Sequence, residues 1–301
     1  MWHYGMQEKG TSYEYRHIEA GFKQCQAEGL FDAMYWHPDN NESFPQGGYD
    51  AIFHVAFNGN YDLPEAEALK ALANDIPVIQ FDCDASFRFQ DWILPRKHRV
   101  SHFVTTHNST IPWYKSNGMN VIKSQWAGSP LYYKAETGYQ PFDTSFLGQR
   151  HGIRGTIVSM LIQAGIKVHL FGEFWEGYPD SKCELLESDD MIKVFHLSKI
   201  NLNFSNPSQG GLPQIKGRHV DILAAGGFQL CTSADNLEEY FVPNKEIVIV
   251  NSMPEMLTKI KYYLEHDDER NAIAEAGYQR VQKEHLWKHR LTAIFQEVGL
   301  S

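Results

Sequence analysis

The chain has no hydrophobic run long enough to cross a bilayer. A helical span needs roughly 20 consecutive apolar residues, and none of that length occurs among the 301. A secretory leader is also missing, because the opening MWHYGMQEKG has no apolar core of the signal-peptide kind. Cysteine is scarce. The four cysteines (Cys25, Cys83, Cys183 and Cys231) are widely spaced and form no CxxC pair. That excludes a disulfide scaffold and a thiolate zinc site. Together these absences predict a cytoplasmic protein. Positive charge is in deficit: 27 Lys and Arg stand against 37 Asp and Glu, a net charge of -10. A protein that grips long nucleic acid needs a basic face, so nucleic acid is not an expected partner. No GxGxxG follows a strand pattern, which removes the usual dinucleotide fingerprint.

What is present is an alternation of short apolar runs and amphipathic stretches over a length that suits two domains of about 150 residues. In the first half, 2–5 and 33–36 read as short strands. Ser12 caps a helix carrying Tyr15, Ile18, Phe22 and Cys25 and closed by Gly29. The run YDAIFHVAF (49–57) has the continuous apolar character of a strand buried on both faces. Helix 64–74, strand 76–81, strand 102–106, helix 110–117 and strand 120–124 follow. This order predicts a parallel sheet covered by helices. Asn58, Asp82, Asp84, His107 and Ser109 all follow strands directly, where open parallel sheets bind ligands. Ordinary Asx-turn capping would place the same residues there.

A polar connector at 133–143 predicts a boundary between domains 1–136 and 137–284. A second unit of the same pattern then begins. Strand 145–147 leads into the loop Gly148–Gly152, and Arg154 opens a helix running to Gln163. A cation at a helix start opposes the helix dipole, and a bound phosphate would compensate it. Strand 166–171 is followed by Gly172, Glu173, Phe174 and Trp175, an aromatic pair placed to pack on a nucleobase. The stretch KINLNFSNPSQGGLPQIKGRHVDILAAGGFQLCT (199–232) reads as strand, polar loop, short helix and strand. Lys216 and Arg218 lie at the helix start, and Asp221 one turn further in can face a ribose hydroxyl pair. Ser252 and Glu255 make a capping-box pattern, and helices 267–282 and 285–298 end the chain.

In its second half the chain resembles the CgeB-like (spore maturation protein B) glycosyltransferases, a group within the two-domain GT-B enzymes. The segments that carry the likeness are TSFLGQRHGIRGTIVSMLIQAGIKVHLFG, SKINLNF, GRHVDILAAGGFQLCT, EIVIV and DDERNAIAEAGYQRVQKEHLWKHRL. DIPVIQFDCD and HFVTTHNSTIPWYKSNG match more loosely. The resemblance implies an α/β fold of two facing Rossmann-like domains with a cleft between them. It further implies an acceptor site in the first, a nucleotide-sugar site in the second, and a last helix (285–301) packing back on the first. Many relatives carry two glutamates eight residues apart. Here Asp221 takes the second place and Pro213 the first, which removes one acid.

The expected activity is transfer of a sugar from a nucleotide-sugar to an acceptor hydroxyl, the acceptor being unidentified. Arg154, Lys216 and Arg218, with the Gly148 and Gly172 loop backbones, would neutralise the leaving diphosphate, so no metal and no further cofactor is expected. The spacing of Asp82 and Asp84 alone does not make a hard-cation cage. If inversion requires a base, His107 and Asp84 are the candidates by position. An epimerase on the same frame, a non-catalytic nucleotide- or sugar-binding protein and a DNA-base glycosylating enzyme are the rival readings.

Overall fold

A computed structural model describes residues 2–3, 13–36, 43–55, 63–134, 138–184, 186, 188–207 and 210–300. The end of the first expected strand at 4–5, the Ser12 cap and Asn58 lie outside the described residues. The chain divides into two compact units, Met1–Trp126 with Trp287–Ser301, and Ala127–Leu286. This division falls earlier than the boundary read after residue 136.

The first unit runs β1 (Trp2–His3), α1 (Tyr13–Ala27), β2 (Tyr35–Trp36), β3 (Ile52–Val55), α2 (Glu65–Ala73), β4 (Val78–Asp82), α3 (Ala85–Arg88), β5 (His102–Thr105), α4 (Ile111–Ser116) and β6 (Val121–Lys123). Its six strands are parallel in the order β2-β1-β3-β4-β5-β6. Every residue of β3 and β4 is buried, including His54, Gln80 and Asp82. Strands covered on both faces need apolar side chains on both, which explains the unbroken run in the sequence. Between α3 and β5 the chain stays helical. Phe89–Ile93 forms a π turn and Leu94–Arg99 a 3-10 turn, a stretch that showed no periodicity in the sequence.

The second unit runs β7 (Phe142–Leu147), α5 (Arg154–Gln163), β8 (Val168–Phe171), β9 (Ser181–Lys182), α6 (Ser188–Leu197), β10 (Ser198–Asn203), α7 (Gly217–Ala224), β11 (Gln229–Thr232), β12 (Val248–Val250), α8 (Met253–Glu265) and α9 (Asp267–Glu284). Its six parallel strands follow the order β12-β11-β10-β7-β8-β9. That is the 3-2-1-4-5-6 order of dinucleotide-binding sheets, with the reversal of direction between β7 and β10. The core gathers Phe146, Leu170, Ile200, Leu202, Leu230 and Val248 from the strands, Phe204 just after β10, and Val158, Leu161, Met256, Ile260 and Ile273 from the helices. At the start of α8, Ser252 Oγ accepts the Glu255 N–H at 3.3 Å, and the Glu255 carboxylate accepts the Asn251 N–H at 2.9 Å. The acid thus reaches one residue further back than in a standard capping box.

The last helix, α10 (Trp287–Glu297), belongs to the first unit. Phe295 meets Phe22, Phe31 and Phe53 edge-on, and Trp287 meets Phe81 and Trp126. Helix α1 approaches so closely that a Cβ on Gly21 would lie 2.2 Å from Trp287 Cβ. We expect Gly21→Ala to destabilise the protein by about 2 kcal/mol in urea unfolding. The overlap must be relieved by moving a helix, and the better helix propensity of Ala returns only about 1 kcal/mol. Unchanged stability would show that α10 is not seated against α1. Among the described residues no helix is long and apolar enough to cross a membrane.

Candidate functional site

The reversal point of the second sheet places two loops side by side at its carboxyl edge. One follows β7 and enters α5. The other follows β10 and enters α7. Ligands bind at such a point because the loops diverge and leave a crevice lined by helix N-termini.

Four of the residues singled out in the sequence meet there. A Cβ built on Gly148 would lie 3.1 Å from Arg218 Nη1 and 3.4 Å from Arg154 Nη1, so both guanidinium groups reach the same point beside the loop. Arg154 is the first residue of α5 and Arg218 the second of α7. Arg218 Nη1 donates to the Leu147 carbonyl at the end of β7. Arg154 Nη1 donates to the Gln149 carbonyl at 3.0 Å, and its guanidinium carbon stands 5.5 Å from the Phe146 ring centroid. Gly172, after β8, closes the floor. Its own Cβ would meet the Gly148 carbonyl carbon and oxygen at 2.8 Å, and its φ is +123°. Gly172→Ala should therefore cost about 2–3 kcal/mol through strain and overlap, read as a lower urea midpoint. A midpoint equal to wild type would mean that the two loops are not in contact.

Lys216 precedes α7, and its position is set by a buried relay the sequence reading did not identify. His219 is fully buried, and desolvation pushes its pKa down to about 3, so the ring is neutral. Its Nδ1 accepts the Lys216 N–H at 2.9 Å. That leaves the proton on Nε2, which donates to Ser205 Oγ at 3.2 Å. Ser205 Oγ in turn donates to the Thr232 carbonyl at 2.7 Å. The relay ties the loop after β10 to β11 and to the start of α7. A histidine three residues after a basic loop residue was the available signal.

His151 lies in the loop after β7. Burial first, then the charges of Arg154 and Lys216, lower its pKa to about 4. It is neutral at pH 7, and those shifts place its ring within the field of both cations. The corner therefore carries arginine and lysine charge at two helix starts, where the dipole disfavours it unless an anion binds.

Other expectations differ from what the structure shows. Trp175 is 0% exposed and sits in the core, its Nε1 donating to the Gly148 carbonyl at 2.7 Å. It braces the loop and cannot stack on a base, whereas Phe174 is exposed. Asp221 is 4% exposed in a helix buried from His219 to Ala225. The side chain expected to contact a ribose is therefore a buried one. In the first unit His107 is 1% exposed, so as placed its ring is closed to an acceptor. Asp84 is half-buried at the start of α3.

A family model described as "Glycosyl transferase-like" matches residues 154–296, from Arg154 into α10. No curated protein matches the chain in sequence. Among solved structures, HepE from Anabaena in complex with UDP and glucose superposes with a TM-score of 0.64 at 10% identity, covering 99% of each chain. The fold is GT-B. A glycosyltransferase from Rickettsia africae shows the same GT-B architecture, with a TM-score of 0.60 and 10% identity over 99% of this chain and 96% of that one. So does sucrose-phosphate synthase from Thermosynechococcus elongatus, with a TM-score of 0.58 and 10% identity over 84% of this chain and 74% of the other. In GT-B terms the Gly148 corner lies in the unit that carries most of the family match.

Proposed function

We propose that the protein is a metal-independent glycosyltransferase that moves a sugar from a nucleoside-diphosphate donor to an acceptor hydroxyl. The observation that carries this reading is the convergence of Arg154 and Arg218, each at a helix start, beside the Gly148 loop at the strand-reversal point. In the transfer step the bond from the anomeric carbon to the diphosphate breaks, and negative charge grows on the leaving oxygen. Two guanidinium groups, Lys216 and two helix N-termini supply fixed positive potential for that charge without a metal ion. The Gly148 backbone allows a phosphate to approach where a side chain would obstruct it, and Gly172 lets the loop after β8 close against Gly148. Because HepE is described with UDP and with UDP-glucose, a uridine diphosphate sugar is the first donor to try. Within the transferases, the closing segment DDERNAIAEAGYQRVQKEHLWKHRL supports placement in the CgeB-like group.

The test is a thermal-shift series with nucleotides and nucleotide-sugars, followed by assay of nucleotide release. At least one nucleoside diphosphate should raise the melting temperature by several degrees, and the shift should vanish in Arg154→Ala. A flat response to every nucleotide would overturn the reading.

A further inference from the structure

The first unit has its own cationic feature, and the donor corner does not account for it. After β4 the chain turns into the continuous helical run 85–99 formed by α3, the π turn and the 3-10 turn. Arg88, Trp92 and Arg96 recur in it at four-residue spacing. The Arg96 guanidinium carbon stands 3.4 Å from the Trp92 ring centroid, and that of Arg88 stands 4.6 Å from it. Arg96 Nη1 also donates to the Trp92 carbonyl at 2.7 Å. Around Trp92 the Leu94 N–H reaches back to the Phe89 carbonyl, the longer bond that makes this part of the run a π turn. Such turns are uncommon and gather at functional sites.

Two guanidinium groups are thus held against one indole in a chain of net charge -10. Among the described residues Arg88 makes no hydrogen bond and no ion pair; its contact is the ring. Asp82 ends β4, and the fields of Arg88 and Arg96 both act on it, but no ion pair joins it to either among the described residues. Its carboxyl is instead engaged by Gln80 Nε2 at 2.8 Å and Tyr114 Oη at 3.2 Å. Stacked on the indole and otherwise without a hydrogen bond among the described residues, the Arg88 guanidinium keeps the N–H groups in its plane available, in the fork that fits phosphate or carboxylate, and Arg96 adds a second positive charge beside it.

We propose that Arg88 and Arg96, braced on Trp92, bind an anionic group, phosphate or carboxylate, carried by the acceptor. The assignment to the acceptor rests on the transferase reading above; the anion site itself does not. The Trp92 indole N–H is a local reporter, identified in the nitrogen–proton spectrum by its loss in Trp92→Phe. The full chain is titrated with inorganic phosphate and with two matched pairs, glucuronate against glucose and ribose 5-phosphate against ribose. The expected result is a saturable shift of the Trp92 signal with an anionic sugar. Its affinity should be at least tenfold above that of the neutral partner and of phosphate, and should fall at least tenfold in Arg88→Gln at an unchanged melting temperature. Anionic and neutral partners binding alike, or full affinity retained in both Arg88→Gln and Arg96→Gln, would overturn the site. Inorganic phosphate binding as tightly as every anionic sugar would overturn the link to the acceptor. Failure of the transferase reading shows separately, as the absence of a nucleotide-induced melting shift while the Trp92 response persists.

Discussion

Arg218→Ala should reduce donor turnover by about two to three powers of ten while the melting temperature moves by only a few degrees. The rate effect follows from where the charge sits. A preorganised donor aimed at a growing negative charge contributes about 10²–10³ in rate when it is removed singly. Arg218 lies at the start of α7 and at the reversal point of the sheet, where, in the proposed reaction, helix dipole and guanidinium would act on the same leaving oxygen. The stability effect is smaller because the hydrogen bond that Arg218 donates to the Leu147 carbonyl is worth only about 1 kcal/mol. Arg218→Lys distinguishes charge from geometry. An ammonium restores the charge without the two-pronged fork, so turnover should recover only in part. Wild-type turnover in Arg218→Ala would remove the residue from the site. A loss of turnover matched by collapse of the melting transition would mean that the arginine is there to hold β7 against α7.

The parallel sheets were readable in the chain because their strands are buried on both faces. A run such as IFHV or VIQFD admits no solvent-facing alternation, and its type follows from that. The loops of the second unit were readable for a different reason. Cations at helix starts are locally unfavourable, and Arg154 and Arg218 both break that rule at the same corner. What failed was the environment of single side chains. Trp175 after a glycine gives the same local pattern whether it stacks on a ligand or fills a core, and only the distant Gly148 carbonyl decides between them. Asp221 was judged by its place in a motif, but α7 is buried from His219 to Ala224. The run from Ala85 to Arg99 gave no helical signal because a π turn followed by a 3-10 turn departs from the 3.6-residue period by which helices are recognised. Its arginine–tryptophan–arginine spacing was nonetheless visible.

Asp82→Asn should stabilise the protein at pH 8, by about 2–4 kcal/mol in urea unfolding. Burial pushes the Asp82 pKa up to about 7, against the hydrogen bonds from Gln80 and Tyr114 and the fields of Arg88 and Arg96, which lower it. The sign follows from linkage. Between about pH 4 and pH 7 the unfolded chain has released this proton and the folded chain still holds it. Stability from this group therefore falls as the pH rises through that range and stays low above it. His17, His151 and His219 act in the opposite sense. Each is held neutral, with a pKa of about 4, 4 and 3, so their contribution is complete above about pH 6.5 and is lost as the pH falls below it. In the wild type the two trends offset one another in mild acid. In Asp82→Asn only the histidine trend remains, so stability should rise more steeply from pH 4 to 6.5 and then level off. The amide can keep the Tyr114 hydrogen bond at its oxygen and meet Gln80 with that residue's amide turned over, which is why the fold should survive the change. Equal stability of the two proteins at pH 8, or parallel pH profiles, would show that Asp82 is already ionised at neutral pH. A position where the acid is less stable than its own amide is one where folding alone does not favour the acid, and here it lies in the field of the two arginines stacked on Trp92.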